Sequence, residues 1–104
     1  MAAITITPTA NPFSVKHTLS ATPNTQQEFK IPGSARRVEV YFETNAGKVI
    51  WAGGTDAAVI STEAAYPVTA DVGYYWDLPQ AQQTHSVWLA SATGSTVVHV
   101  AVFE

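Results

Sequence analysis

With 104 residues the chain has room for one domain and one core, and the absence of cysteine excludes disulfide staples and thiolate metal sites. A formal charge of −3, from 5 basic and 8 acidic side chains, has the wrong sign for wrapping a phosphate backbone, so nucleic acid is not expected as a partner. Charged residues make up only 12% of the chain, about half the usual ~25%, which leaves a surface of Ala, Thr, Ser and Gln that is poorly protected against association.

The first run, Ala3 to Thr7, lacks the basic and long apolar regions of a secretory signal, and no stretch approaches the roughly 20 apolar residues of a membrane helix. The chain is therefore expected to be made soluble in the cytoplasm, with no membrane partner. Residues 1–12 read as an N-terminal arm or edge strand, reset by Asn11-Pro12 before a strand over Phe13 to Leu19. Pro23-Asn24 marks a turn, Gln26 to Ile31 alternates through Phe29 and Ile31, and Pro32-Gly33 stops it with a pair suited to a type II turn.

The clearest strand is Arg36 to Thr44: Val38, Val40 and Phe42 share one face, and Arg37, Glu39, Tyr41 and Glu43 the other. Asn45-Ala46-Gly47 then reads as a hairpin loop, with Lys48 to Ala52 returning as the partner strand. Gly53-Gly54-Thr55-Asp56 reads as a turn, and Ala57 to Ser61 as a short strand or a helical turn. Pro67 confines Tyr66 to Thr69 to a sheet edge. Tyr74 to Leu78 is a strand closed by Pro79, and Gln80 to Thr84 a polar loop. Ser86 to Ser91 and Thr96 to Phe103 read as a terminal hairpin about Ala92-Thr93-Gly94-Ser95, in a chain expected to be complete at Glu104. The expected fold is a single all-β domain over 1–104, an antiparallel β-sandwich of about eight strands, jelly-roll-like.

No constellation in the sequence carries chemistry. His17, His85 and His99 form no HxH or HxxxH pair, so separate structural or surface roles are expected for them. Glu39 and Glu43 share a strand face, but four residues along a strand span ~13 Å, beyond the ~5 to 9.5 Å of paired glycosidase carboxyls. There is no G-x-S-x-G elbow, and the lone Asp56 of the glycine turn is too little for Ca²⁺. No enzymatic activity, cofactor or metal is expected.

The aromatic residues are the stronger candidates. Tyr74 and Trp76 point one way and Tyr75 the other, Trp88 faces opposite to Val87 and Leu89, and Tyr41 lies on the polar face of its strand. Tyr41, Tyr74, Tyr75, Trp76 and Trp88 are thus candidate interface or ligand-stacking residues, since exposed aromatics anchor protein interfaces or stack on sugars. Core packing is the plainer expectation for Trp51.

Three segments carry a resemblance: Phe29-Lys30-Ile31-Pro32-Gly33-Ser34-Ala35-Arg36-Arg37-Val38, the run from Gly47 through Trp51 to Asp56, and the ending from Val87 to Val100 with its Ala90-Ser91-Ala92-Thr93-Gly94-Ser95-Thr96 turn. Over roughly residues 26 to 103 the chain resembles small β-sandwich virion proteins of tailed bacteriophages. That resemblance implies a capsid decoration (cement) or related head or tail accessory protein, located in the virion. It also implies a homo-oligomer, for which a trimer is expected, bound to a major capsid or other virion protein. The rival expectation is a non-catalytic carbohydrate-binding or adhesin module that takes polysaccharide on Tyr74, Trp76 or Trp88.

The alternation places Val38, Val40, Phe42, Val98, Val100 and Val102 in the core. Val40→Asp is accordingly expected to unfold the domain, because an unpaired buried carboxylate costs several kcal/mol against a total of roughly 5–15. A variant that melts like the wild type would mean the faces are reversed.

Overall fold

The computed structural model describes residues 2–52, 66–79 and 83–104. Nine strands lie along them: β1 (Ile4–Thr5), β2 (Phe13–Thr18), β3 (Gln27–Ile31), β4 (Arg37–Phe42), β5 (Gly47–Ala52), β6 (Tyr66–Val68), β7 (Gly73–Asp77), β8 (His85–Ala90) and β9 (Val97–Phe103). They form a five-stranded sheet of order β1-β3-β8-β5-β6 and a four-stranded sheet of order β2-β9-β4-β7. All pairings are antiparallel except that of the two-residue β1 with β3. The expected turns at residues 53–56, the segment 57–61 and part of the loop 80–84 lie outside the described residues.

The pairing is nested. β2 pairs with β9, β3 with β8, β4 with β7 and β5 with β6, so one long antiparallel ribbon is folded back and forth between two sheets. β4 against β9 and β5 against β8 then stitch the ribbon to itself. This is the jelly-roll arrangement of a β-sandwich.

The topology corrects two expectations. β4 and β5 are not a hairpin, nor are β8 and β9: each pair lies in opposite sheets, and its connection crosses the sandwich. Among the described strands, β5 and β6 alone are consecutive and paired. The reason is in the faces. Val38, Val40 and Phe42 of β4 and Val49 of β5 are all buried, and two half-apolar strands bury their faces together best from opposite sheets, ~10 Å apart. A loop of four to six residues spans that gap as readily as it makes a hairpin. At the β4–β5 crossing the chain passes close over Phe42: a Cβ added at Gly47 would lie 2.1 Å from its ring and 2.5 Å from the Ala90 carbonyl oxygen. At the β8–β9 crossing, a Cβ on Gly94 would lie 2.1 Å from the Ala21 carbonyl oxygen.

All six residues expected in the core are buried, together with Phe29, Ile31, Val87 and Leu89 from the facing sheet. Ile6 is buried just beyond β1, where its N–H donates to the Lys30 carbonyl at 3.0 Å. Asn24, Asp71 and Ser95 take positive φ (60°, 65° and 58°), and Asn and Asp are among the residues that tolerate it best.

Gly47→Ala is expected to destabilise by roughly 1–3 kcal/mol, since the methyl meets a buried ring and a backbone oxygen that cannot swing aside. Denaturant unfolding checks this; a midpoint equal to wild type would show that the crossing has slack.

Candidate interaction surface

The outer face of the four-stranded sheet is where chemistry accumulates. Strand parity puts Ser14, Lys16 and Thr18 of β2, Val97, His99, Ala101 and Phe103 of β9, Arg37, Glu39 and Tyr41 of β4, and Gly73, Tyr75 and Asp77 of β7 on it. Neighbouring side chains on this face, together with Glu43 and Asp71 at the ends of β4 and β7, make five contacts. Arg37 Nε donates to Asp77 Oδ1 at 2.8 Å, and the same guanidinium sits 5.1 Å above the Tyr75 ring. The hydroxyl of Tyr41 donates to Asp71, and its ring meets His99 edge-on at 5.6 Å. His99 Nε2 lies 2.9 Å from Glu43 Oε2.

These contacts shift titrations. The His99 hydrogen bond, helped by the Lys16 charge, lowers the Glu43 carboxyl below its ordinary range. Donation to Asp71 raises Tyr41. His17 is lowered by burial, since it points inward from β2 and packs edge-on against Phe29 at 5.8 Å.

The five aromatic candidates separate. Tyr41 and Tyr75 share the outer face just described, with Tyr75 61% exposed and Tyr41 half-buried. Tyr74 and Trp76 point inward from the same strand and join Trp51 and Tyr66 in an aromatic cluster between the sheets. Ring centroids there are 5.9 Å apart for Trp51 and Trp76, and 6.1 Å for Tyr66 with Tyr74 and with Trp76. The Tyr74 hydroxyl shares a hydrogen bond with the Thr69 hydroxyl at 3.1 Å and accepts from the Thr69 N–H at 3.1 Å, which together lower its pKa. Trp88 stands apart on the outer face of the other sheet, only 2% exposed, between Glu28 and Ile50 in register.

Strand parity indicated which way each ring faces. It did not reveal that Trp88 is covered, nor that Tyr66, at 55% exposure, is the open ring of the inner cluster. Nor does it bring Arg37 to Asp77, Tyr41 to Asp71 or His99 to Glu43, because these partners are 30 to 56 residues apart in sequence. The histidines do not converge: His17 faces inward, His99 outward, and His85 lies in the other sheet with Nε2 3.1 Å from the Pro79 carbonyl oxygen. Among the described residues no three His, Asp or Glu side chains group as a metal site, and no helix is long and apolar enough to cross a membrane. Compared with known proteins, the chain matches no family model, no curated protein and no solved structure.

Acid should weaken the fold in two steps. His17, with a folded pKa below its ordinary 6.5, favours the neutral ring, so stability falls as pH drops below that value. Glu43, also lowered, contributes above its ordinary 4.5, and that contribution is lost as pH falls through its folded value. Melting curves of Glu43→Gln should lie below wild type at neutral pH and converge with it in strong acid. Parallel curves at every pH would refute the ion pair's role.

Proposed function

We propose that this chain is a non-catalytic virion structural protein, a capsid decoration or related head or tail accessory of a bacteriophage, that self-associates and adds to a preformed shell. The observation that carries the reading is the outer face of the four-stranded sheet. It faces outward from the sandwich, and it sets Tyr75 and Arg37 in one stack, residue types enriched at the energetic centres of interfaces. The sparse charge of the chain and the resemblance of its strands to phage virion proteins favour the same reading. A jelly roll serves capsid proteins, lectins and cupins alike, so the fold by itself does not choose among them.

A sugar-binding module is the second reading, and one observation favours it. Among the described residues Trp51 Nε1 is the one buried side-chain nitrogen or oxygen without a hydrogen-bond partner, while the exposed ring of Tyr66 is part of the same cluster. A hydroxylated ligand reaching this cluster would supply both an acceptor and a face to stack. Against it, Tyr74 and Trp76 spend their rings on one another's neighbours, and Trp88 is covered.

Particles assembled with and without the protein separate these readings. A cement prefers the intact shell and stabilises it by mass action, so saturating protein should raise the temperature at which particles release DNA. Tyr75→Ala should lessen that rise. Unchanged particles, with binding to a polysaccharide column that Tyr66→Ala or Trp76→Ala abolishes, would transfer the case to the sugar reading.

A further inference from the structure

Among the described residues the two sheets present four edges, and three are blunted. β1 has two residues, and β6 has three with Pro67 in the middle, where no N–H is available. β2 is longer but carries Lys16, a residue type that discourages strand pairing. β7 is the least protected: its one charged side chain, Asp77, is already paired with Arg37 of β4. Its five residues, Gly73-Tyr74-Tyr75-Trp76-Asp77, contain no Lys and no Pro, and its three central residues are aromatic with high strand preference.

The ladder fixes which backbone groups β7 leaves free. The Leu78 N–H donates to the Arg36 carbonyl at 2.8 Å, so with Arg37 opposite Asp77 the bonded pairs continue at Val38 with Trp76 and Val40 with Tyr74. The N–H and C=O groups of Gly73, Tyr75 and Asp77 therefore point to the open edge. Among the described residues none of them has a partner there.

We infer that β7 is the contact through which two copies of this chain join, antiparallel about a two-fold axis at Tyr75, into one continuous eight-stranded sheet. This deepens the assembly reading by naming its first contact. The partner is a second copy because the strand is complementary to itself. With Tyr75 on the axis, Gly73 falls opposite Asp77 and Tyr74 opposite Trp76, so each of the three outward residues meets another outward residue and all six donors are satisfied. The two Tyr75 rings become a cross-strand aromatic pair, each with an Arg37 guanidinium above it. Gly73 leaves room for the opposing Asp77 side chain. Its own space is shared with Glu39, whose Oε2 would lie 3.0 Å from an added Cβ. Where Glu39 approaches the second copy's Asp77, that copy's Arg37 already neutralises the carboxylate. The contact closes at two copies and uses up the edge.

The test uses the untagged full chain alone, so it is independent of the particle experiment: a dimer that leaves particles unchanged would sink the virion reading and not this one. Sedimentation at near-millimolar concentration should give twice the 11.1 kDa chain mass. Tyr75→Lys opposes two charges on the axis while leaving the β4 ladder and the core untouched, and should raise the dissociation constant about tenfold or more. Lys16→Ala, at the β2 edge, should leave it unchanged. Because the chain has no cysteine, Tyr75→Cys gives a positive test. Paired Cα atoms about 5.5 Å apart are within disulfide reach, so an added thiol oxidant should join two chains through position 75 much faster than through Tyr66→Cys. A monomeric or trimeric wild type, an unchanged Tyr75→Lys dimer, or equal cross-linking at 66 and 75 would each overturn the proposal.

Discussion

β9 lies between β2 and β4, and its register against both is the constraint on which the sandwich depends. Val98, Val100 and Val102 stand opposite Phe42, Val40 and Val38 on one side and His17, Val15 and Phe13 on the other, all facing inward. A slip of one residue would turn His99 and Ala101 to the core and three valines to water, at about 1.5–3 kcal/mol for each side chain exposed. The same register sets the outer face. Because Val100 points in, His99 points out to Glu43 and Tyr41, and because Val38 and Trp76 point in, Arg37 meets Asp77.

Long-range pairing dominates this topology. β2 and β9 come from opposite ends of the chain, and the last residue ties back to the first loop: Asn11 Nδ2 donates to the Glu104 carbonyl at 2.9 Å, and the Glu104 N–H donates to Asn11 Oδ1 at 3.0 Å. The ribbon must therefore find its distant partners before most apolar area is buried, a feature of slow-folding all-β domains. A domain with no disulfide relies on this packing alone. The four sheet edges then become the places where association is either prevented or permitted, and the unequal protection of β2 and β7 is a property of the sheet as a whole.

In the proposed assembly reading the outer surfaces carry the function. On or beside the outer face Asp77, Glu43 and Asp71 are engaged with Arg37, His99 and Tyr41. Side chains already paired with one another lose less entropy on docking than free ones. The inner aromatic cluster is different in kind. Its rings are packed on one another, and only Tyr66 and the unpartnered Trp51 donor give it a chemical opening.

The sequence by itself determined the class of the fold, the single core and the facing of most strands, because a strand's side-chain period of two is a local property. Val40 inward, Tyr75 outward and Trp88 opposed to Leu89 were all legible in that way. The sequence did not determine which strands pair. A short loop with a glycine, such as Asn45-Ala46-Gly47, is equally a hairpin and a crossing between sheets, and only the burial of both apolar faces against each other selects the crossing. Tertiary structure likewise decided that Trp88 is covered, that Arg37 stacks on Tyr75 and that His99 meets Glu43, since each of these depends on residues tens of positions apart. The bare edge of β7 belongs to the same class: an edge exists only once the order β2-β9-β4-β7 is set.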